Sequence, residues 1–339
     1  MHNLHNTLLM QIWRSVTDQI APLPRHAQVE ITNICNLNCR MCFRHVLKLD
    51  VRHMEFEVFT RIVNCLENVP VLTLSGYGEA LCHPRFFDAV AYAKARGHFT
   101  RTTSNGLMLG NNDAIPRLLD SGLDYIAFSI EELSGKNEVG HPNAKVLNYI
   151  PQLIDQRDKR NQKTPEVALQ TIMFKDREQD VLDIIHWGEQ VGADRVNVAR
   201  FETTTLAEVK RPTEAEEQKL FRQFSNLRRR YRIQIDCLQD QVFSGFKGFL
   251  YKHFKSLLRM DHSCIRIRDF VYIGIDGKVR PCCALIKHPM GNILDENLTT
   301  IWGNERFEKF RKNYKKIPWC ARCDFARLGQ INSIYPDNE

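Results

Sequence analysis

The sequence predicts an α/β protein, a parallel sheet curled into a partial (β/α)6 barrel and followed by a small cysteine-rich extension. Between about residues 27 and 205, short β-rich runs alternate with amphipathic helical patterns. At roughly 30 residues per strand–helix unit, this span holds six units, two short of a closed eight-stranded barrel. Seven of the eleven cysteines fall in tight, ordered spacings, and four of these seven lie beyond residue 260. We therefore expect metal chemistry at the carboxyl ends of the strands.

Six segments of the barrel region have the composition of strands. They are residues 28–32, 71–75, 99–104, 125–130, 167–173 and 195–201. The first helix is predicted over residues 55–69, where apolar residues and Cys65 recur at helical spacing, so Cys65 is expected in the core. Gly97, Gly122 and Gly192 stand where helices are expected to end.

Beyond residue 205 the pattern changes. A charged helix is predicted over 214–231, an amphipathic helix over 246–258, a hairpin over 271–275 and 278–280, and a helix near 298–312. These limits divide the chain into an N-terminal helical segment (1–26), the barrel (27–205), a helical linker region (206–260) and the extension (261–339). The extension is too small to bury a good core alone, so a bound metal is expected to stabilise it.

Composition excludes several classes of protein. The chain has 339 residues, of which 43% are hydrophobic and 26% charged, as is usual for a globular protein and not for a disordered or fibrous one. No apolar run approaches the roughly 18 residues of a membrane span, and no signal peptide is recognisable. Eleven cysteines without such a signal indicate a reducing compartment, the cytoplasm, where thiols bind metals. A net charge of +7 is too small and diffuse to indicate a nucleic-acid partner.

The first cysteine set directly follows the first predicted strand. Cys35, Cys39 and Cys42 are separated by three and then two residues. Three thiolates on one short loop can bind three irons of a cubane cluster and leave the fourth iron without a protein ligand. An open coordination position is typical of a catalytic metal site. A zinc site would need a fourth ligand, for which His45 is the nearby candidate.

This cysteine motif resembles that of the radical S-adenosylmethionine (radical SAM) superfamily. The resemblance implies that Cys35, Cys39 and Cys42 hold a [4Fe-4S] cluster at the top of a partial barrel and that SAM chelates the open iron. Reductive cleavage of SAM would then give a 5′-deoxyadenosyl radical, which abstracts hydrogen from a substrate carbon. The family usually has an aromatic residue before the third cysteine, near the adenine. Here it is Met41, which can also pack on a ring face.

Two further segments are similar to SAM-binding segments of the family. Ser75–Leu81, which reads SGYGEAL, is similar to the family's Gly-Gly-Glu-Pro segment, which implies that Gly78 and Glu79 bind the SAM amino group. Tyr77 and Ala80 depart from that pattern, and the motif alone would also fit a tight turn. At the end of the fourth strand, the resemblance places Ser129 and Glu131 at the ribose hydroxyls. Asn197 and Arg200 are either further adenosine or methionine contacts or polar groups at the edge of the core.

The second cysteine set comprises Cys264, Cys282, Cys320 and Cys323, with Gly277 four residues before Cys282. Four thiolates suit either zinc or an iron–sulfur cluster, and spacing alone does not choose between them. The order resembles the SPASM or shortened Twitch extension of radical SAM enzymes, which implies one auxiliary [4Fe-4S] cluster. Cys283 competes with Cys282 as a ligand, although the spacing from Gly277 favours Cys282.

The function predicted is that of a radical SAM enzyme carrying out a two-electron oxidation of a small molecule or a peptide, reduced by a flavodoxin- or ferredoxin-type donor. One alternative is a redox-neutral epimerase, in which Cys82 or Cys237 returns a hydrogen atom, although packing is the simpler role for Cys82. An RNA-modifying radical SAM enzyme and a zinc-binding interaction protein are further alternatives. The resemblance does not identify the substrate.

Overall fold

The computed structural model describes residues 20–39, 42–47, 49–134, 144–200, 210–237, 240, 264 and 266–323. Most of the predicted N-terminal helical segment, Met41 and the helix predicted over 246–258 lie outside these residues. Among the helices of the described part, none is long and apolar enough to cross a membrane.

Parallel strands form the centre of the molecule, in the order in which they occur along the chain. The strands are β1 (His26–Val29), β2 (Val71–Leu74), β3 (Phe99–Ser104), β4 (Tyr125–Ser129), β5 (Glu166–Met173), β6 (Arg195–Arg200) and β7 (Gln234–Cys237). The helices between them are α1 (Phe56–Asn64), α2 (Phe86–Ala95), α3 (Ala114–Asp120), α4 (Val146–Lys159), α5 (Glu178–Val191) and α6 (Glu214–Leu227). The alternation of strands and helices confirms the predicted α/β class.

Several predicted boundaries differ from the structure. β1 begins two residues earlier than predicted, and α1 ends at Asn64 instead of near residue 69. The predicted linker region contributes a seventh parallel strand, β7, which pairs with β6, so the sheet continues past residue 205. Gly97, Gly122 and Gly192 all have positive φ angles, and at Gly192 this ends α5 as predicted.

The C-terminal extension continues the same sheet. After a short helix, α7 (Arg266–Asp269), strand β8 (Phe270–Ile273) pairs in parallel with the free edge of β1. β9 (Lys278–Arg280) and β10 (Gly291–Asn292) follow antiparallel, which confirms the predicted hairpin. The helix predicted near 298–312 is two helices, α8 (Leu298–Gly303) and α9 (Glu305–Asn313), because Asn304 caps the second with its side chain. A last helix, α10, spans Pro318–Arg322.

The two faces of the sheet differ in polarity. Alternate strand residues such as Ala27, Val29, Leu72 and Leu74 are fully buried in the hydrophobic core that the helices cover. The opposite face, here called the inner face, carries half-buried polar side chains: His26, Gln28, Thr73, Arg101, Thr103, Ser129, Gln170 and Asn197. Asn197 donates a hydrogen bond of 2.6 Å to the Tyr125 hydroxyl two strands away, as a concave face allows.

Candidate functional site

The three thiols of the first cysteine loop lie together at the carboxyl end of β1. Cys35, Cys39 and Cys42 are all half-buried. Burial raises the pKa of Cys39 to about 11, and the neighbouring thiols of Cys42 and Cys35 contribute to the rise. Their mutual electrostatic effect places the three sulfurs close to one another. Among the described side chains, no three His, Cys, Asp or Glu groups converge on the position of a single metal ion.

Side chains just after the loop hold its backbone. Arg44 donates a hydrogen bond of 2.6 Å to the carbonyl of Leu37, and His45 Nε2 lies 2.9 Å from the carbonyl oxygen of Cys39. Because His45 is engaged with the backbone, it is not oriented as the fourth ligand that a zinc site would need. Among its own described residues, the loop therefore presents three thiols and no further side chain placed as a metal ligand, which fits a cubane cluster with one open iron.

The segment after β2 packs directly against the cysteine loop. A Cβ at Gly78 would lie 2.4 Å from the carbonyl oxygen of Ile34, so only glycine fits there. The Glu79 backbone N–H donates to the same carbonyl at 2.9 Å. The close backbone approach expected at Gly78 is therefore observed, and the group approached is the loop that carries Cys35.

Glu79 is a buried carboxylate that joins two loops. It accepts hydrogen bonds from Ser104 Oγ (2.8 Å) and from the backbone N–H groups of Asn105 (2.7 Å) and Leu81 (3.1 Å). Asn105 in turn donates to the side-chain oxygen of Asn36 inside the cysteine loop, at 2.8 Å. A carboxylate has about four acceptor positions, so three are occupied by the protein and one is left for a ligand.

The two residues predicted at the ribose differ in environment. Ser129 ends β4 on the inner face and is half-buried, as a ligand contact requires. Glu131 is almost completely buried and accepts a hydrogen bond of 3.1 Å from the Ile172 backbone N–H. Burial raises the pKa of Glu131 to about 8, so its neutral form is favoured near neutral pH. Met41 lies outside the described residues.

The second cysteine set surrounds Arg266 and Tyr314. Burial raises the pKa of Cys320 to about 12, with contributions from Cys264 and Cys323, so these three thiols are neighbours. The Arg266 guanidinium lies 3.5 Å from Cys283 Sγ and 4.0 Å from Cys282 Sγ.

In this arrangement the pKa values of the Cys282 and Cys283 thiols move in opposite directions. A hydrogen bond from Cys282, together with the Arg266 cation, lowers the pKa of Cys283 well below the usual value of a thiol. The set thus combines the four predicted ligands with a fifth thiol and a buried cation that favours thiolate, which fits an iron–sulfur cluster.

Four aromatic side chains, Phe43, Tyr77, Tyr272 and Trp319, connect the two cysteine sets; we call them the aromatic bridge. Phe43 directly follows Cys42, and its ring centroid lies 5.0 Å from that of Trp319, the residue before Cys320. Tyr77 stacks on Phe43 at 6.1 Å and lies 6.2 Å from Tyr272. The Tyr77 hydroxyl also donates a hydrogen bond to the carbonyl of Cys283. The two sets are therefore neighbours, joined by the aromatic bridge.

The three remaining cysteines differ in exposure and in surroundings. Cys65 is exposed at the end of α1, where its sulfur faces the Ile293 carbonyl at 3.8 Å, so the prediction that it is a core residue is wrong. Cys237 ends β7 and is fully buried in the hydrophobic core. Cys82 is half-buried, and the electrostatic influence of Glu79 and Cys35 on its thiol places it beside the first cysteine loop.

The two polar residues of β6 have structural partners. Arg200 and Glu217 form a buried ion pair that joins β6 to α6, so Arg200 belongs to the packing of the barrel. Asn197 remains on the inner face, hydrogen-bonded to Tyr125. Sequence reasoning missed Arg44, Asn105, Arg266 and the aromatic bridge, because their positions beside the thiols depend on loops that no spacing rule describes.

Comparison with known families identifies both halves of this arrangement. The radical SAM superfamily profile matches residues 29–187, and the SPASM profile, an iron–sulfur cluster-binding domain, matches residues 264–324. The chain belongs to the radical SAM superfamily and carries a C-terminal SPASM domain. Its cofactors are accordingly SAM and [4Fe-4S] clusters, as the family resemblance implied.

Individual relatives share this architecture. The chain is 24% identical, over 91% of either sequence, to the tungsten-containing aldehyde ferredoxin oxidoreductase cofactor-modifying protein of Pyrococcus furiosus. Its structure is similar to that of Streptococcus suis SuiB bound to S-adenosylmethionine, with a TM-score of 0.68, 15% identity and coverage of 94% of this chain and 77% of SuiB. Native anSMEcpe with bound SAM matches with a TM-score of 0.61 at 16% identity, over 90% of this chain and 87% of that protein. These structural similarities confirm the partial-barrel fold.

The fit of Gly78 against the cysteine loop gives a prediction about iron content. Two cubane clusters correspond to about eight irons per chain after anaerobic reconstitution. Gly78→Ala should displace the loop and lower the count toward about four, as should replacement of Cys35, Cys39 and Cys42 by alanine. Gly303→Ala is the control, because no atom lies within 4 Å of its added Cβ. Full iron content in Gly78→Ala, or zinc in place of iron at the second set, would contradict the assignment.

The buried Glu131 gives a prediction about pH. The pKa of Glu131 is raised from 4.5 to about 8 in the folded protein. Between these two pH values the folded protein therefore keeps the Glu131 proton, whereas the unfolded chain has lost it. The free energy of unfolding of the wild-type protein therefore falls as the pH rises from about 5 to 8. Relative to wild type, Glu131→Gln should become more stable over that range, on the order of a few kcal/mol. Thermal unfolding measured at both pH values tests this. Glu132→Gln, which breaks the ion pair with Arg177, should instead destabilise the protein at pH 8. A constant difference between wild type and Glu131→Gln would refute the prediction.

Proposed function

We propose that this radical SAM enzyme catalyses a two-electron oxidation at a carbon–hydrogen bond of a small molecule or a peptide, with the auxiliary site as electron acceptor. The observation that carries the proposal is the aromatic bridge between the first cysteine loop and the auxiliary cysteines. Phe43 and Trp319, each next to a cluster ligand, are in contact. A substrate on the inner face would therefore lie close to both sites.

In the proposed reaction the substrate loses two hydrogens, one as a hydrogen atom and one as an electron and a proton. When loaded, the first cluster and SAM supply a 5′-deoxyadenosyl radical, and the auxiliary cluster supplies an electron acceptor. The substrate carbon loses one hydrogen atom, which leaves in 5′-deoxyadenosine. A cluster held by the auxiliary cysteines would accept the remaining electron, and a proton would leave the adjacent hydroxyl, amine or thiol. Ligation by Cys264, Cys282, Cys320 and Cys323 would leave no iron open for substrate, which suits electron transfer.

For SAM itself we propose the binding residues that the family resemblance indicates: Met41, Gly78, Glu79, Ser129 and Glu131. Glu79 retains about one acceptor position for an amino group, and Ser129 is half-buried at the carboxyl end of β4. Glu131 would act through its neutral form. Gly78 contributes by bringing the β2 loop onto the cysteine loop.

An epimerase is the second candidate function, and it depends on a thiol near the substrate. Cys82 supports it, because Cys82 lies beside Cys35 and Glu79. Cys237 does not, because its thiol is enclosed in the hydrophobic core. An RNA substrate has no support beyond the modest net charge. The match to the radical SAM superfamily argues against a non-catalytic zinc-binding interaction protein.

The relatives bear on the substrate class and the setting. The Pyrococcus furiosus relative is described as modifying a cofactor, whereas SuiB has been crystallised with its precursor peptide SuiA. Both a small molecule and a peptide therefore stay within the proposal.

We expect a flavodoxin- or ferredoxin-type donor to supply the reducing electron and the cytoplasm to be the compartment. The domain limits at residues 26, 205 and 260 are likewise proposals, with β7 belonging to the barrel sheet.

Turnover in deuterium oxide distinguishes oxidation from epimerisation. Once a substrate is identified by 5′-deoxyadenosine formation, we expect one SAM consumed per product and a product lacking two hydrogens. Cys323→Ala should stop product formation yet permit some 5′-deoxyadenosine release, because the first cysteine loop is intact. Mass spectrometry of the product decides the outcome. One solvent deuteron on carbon, with no change in oxidation level and loss of turnover in Cys82→Ala, would establish the epimerase instead.

A further inference from the structure

Arg101 stands on the inner face in the middle of β3. Its neighbours in sequence, Thr100 and Thr102, are buried on the helix-covered side, so strand alternation directs Arg101 to the opposite side. By register it pairs with Thr73 on β2 and with Tyr125 on β4. Its side chain is half-buried. Arg101 thus places a positive charge on the inner face, where we expect the substrate to bind.

The Arg101 guanidinium rests on an aromatic ring, and no described carboxylate pairs with it. Its central carbon lies 4.5 Å from the centroid of the Tyr125 ring. Among the described residues, no carboxylate lies within ion-pair distance of it, and it donates no hydrogen bond. The nearby inner-face arginine, Arg195, differs, because Glu166 at 2.7 Å and Asp236 both pair with it. Among the described arginines of the inner face, Arg101 is therefore the one with unused donors.

Among the described residues, the surroundings of Arg101 supply no free counter-charge, because Glu166, the register partner of Tyr125, is paired with Arg195. His26 lies nearby, and burial, Arg101 and Arg266 together lower its pKa to about 3, so it is neutral. The His26 ring is 2.7 Å from Thr73 Oγ1. Beside Arg101, Tyr125, Ala127 and Ala168 form a small apolar cluster with Phe99. A cation held between a neutral histidine and apolar side chains is partly desolvated, and an anionic ligand would offset that cost.

We propose that Arg101 anchors the substrate by an anionic group, a carboxylate or a phosphate. This inference rests on the proposed function, whose substrate it assigns to the anionic class. The planar guanidinium can donate two parallel hydrogen bonds to either group. Thr73, the register partner of Arg101 on β2, is hydrogen-bonded to His26 on β1, and β1 pairs with β8 of the extension, so a substrate held at Arg101 lies on the side of the inner face that adjoins the auxiliary domain. The anchor thus brings the substrate toward the electron acceptor.

Binding of small anions tests the anchor without a known substrate. Anaerobically reconstituted enzyme with SAM is titrated calorimetrically with sodium phosphate and, separately, with sodium acetate at constant ionic strength. Wild type should bind at least one of the two, and Arg101→Gln should weaken that binding at least tenfold. Arg101→Lys should retain part of it. The tighter probe tells whether the substrate group resembles a phosphate or a carboxylate.

A matched control comes from a second arginine stacked on a tyrosine. Arg96 lies 3.4 Å over the ring of Tyr92 at the exposed end of α2, far along the chain from any cysteine set, and Arg96→Gln should bind the anions as wild type does. Equal anion affinity in wild type and Arg101→Gln, or no anion binding by wild type, would overturn the anchor. SAM cleavage with dithionite is measured in parallel. Its absence in wild type would refute the proposed function, whereas the anion titrations would still decide the role of Arg101.

Discussion

The segment Gly76–Glu79 is the constraint on which the rest of the site depends. Gly78 fits against the backbone of Thr32–Ile34 with no room for a side chain, and this fixes the loop that carries Cys35. On the other side of the same segment, Tyr77 bonds to the backbone of Cys283. One tight turn therefore positions the SAM-side cysteines and the auxiliary cysteines relative to each other. Displacement of this turn would disturb both.

The extension and the barrel form one continuous structure. Strand β8 adds to the edge of β1 in parallel, so backbone hydrogen bonds join the SPASM domain to the first strand of the barrel. Bound metal is thus not the extension's sole support, since its apolar residues belong to the same core as the barrel. The buried Arg266 adds a positive charge beside Cys282 and Cys283. Positive charge near a cluster raises its reduction potential, which favours a role as electron acceptor.

Much of this arrangement could be predicted from the sequence, because it depends on patterns among residues that are close together along the chain. Six strands, the hairpin around Asp276-Gly277 and both cysteine sets follow from periodicity and spacing. What could not be predicted depends on long-range pairing. Nothing local in Phe270–Ile273 indicates that it joins β1, and nothing local in Gln234–Cys237 distinguishes a seventh strand from a linker. Cys65 has the right spacing for the core, yet α1 ends before it.

The same limit applies to the charged side chains. Arg101, Arg195 and Arg200 all lie on strands of the barrel, and the sequence alone gives no reason to separate them. Their neighbours make the difference: Arg200 pairs with Glu217, Arg195 with Glu166, and Arg101 with a tyrosine ring. Which cation is available to a ligand is therefore a property of the packed barrel.

The central claim is that the two cysteine sites are neighbours across the aromatic bridge. Magnetic coupling between the two clusters tests this claim most directly. The reconstituted enzyme is fully reduced, and its electron paramagnetic resonance spectrum and power saturation are compared with those of two variants. One variant lacks Cys35, Cys39 and Cys42, and the other lacks Cys320 and Cys323. The contact between Phe43 and Trp319 predicts that the wild-type spectrum relaxes faster than the sum of the two variant spectra and differs from it in shape. A wild-type spectrum equal to that sum would contradict the account.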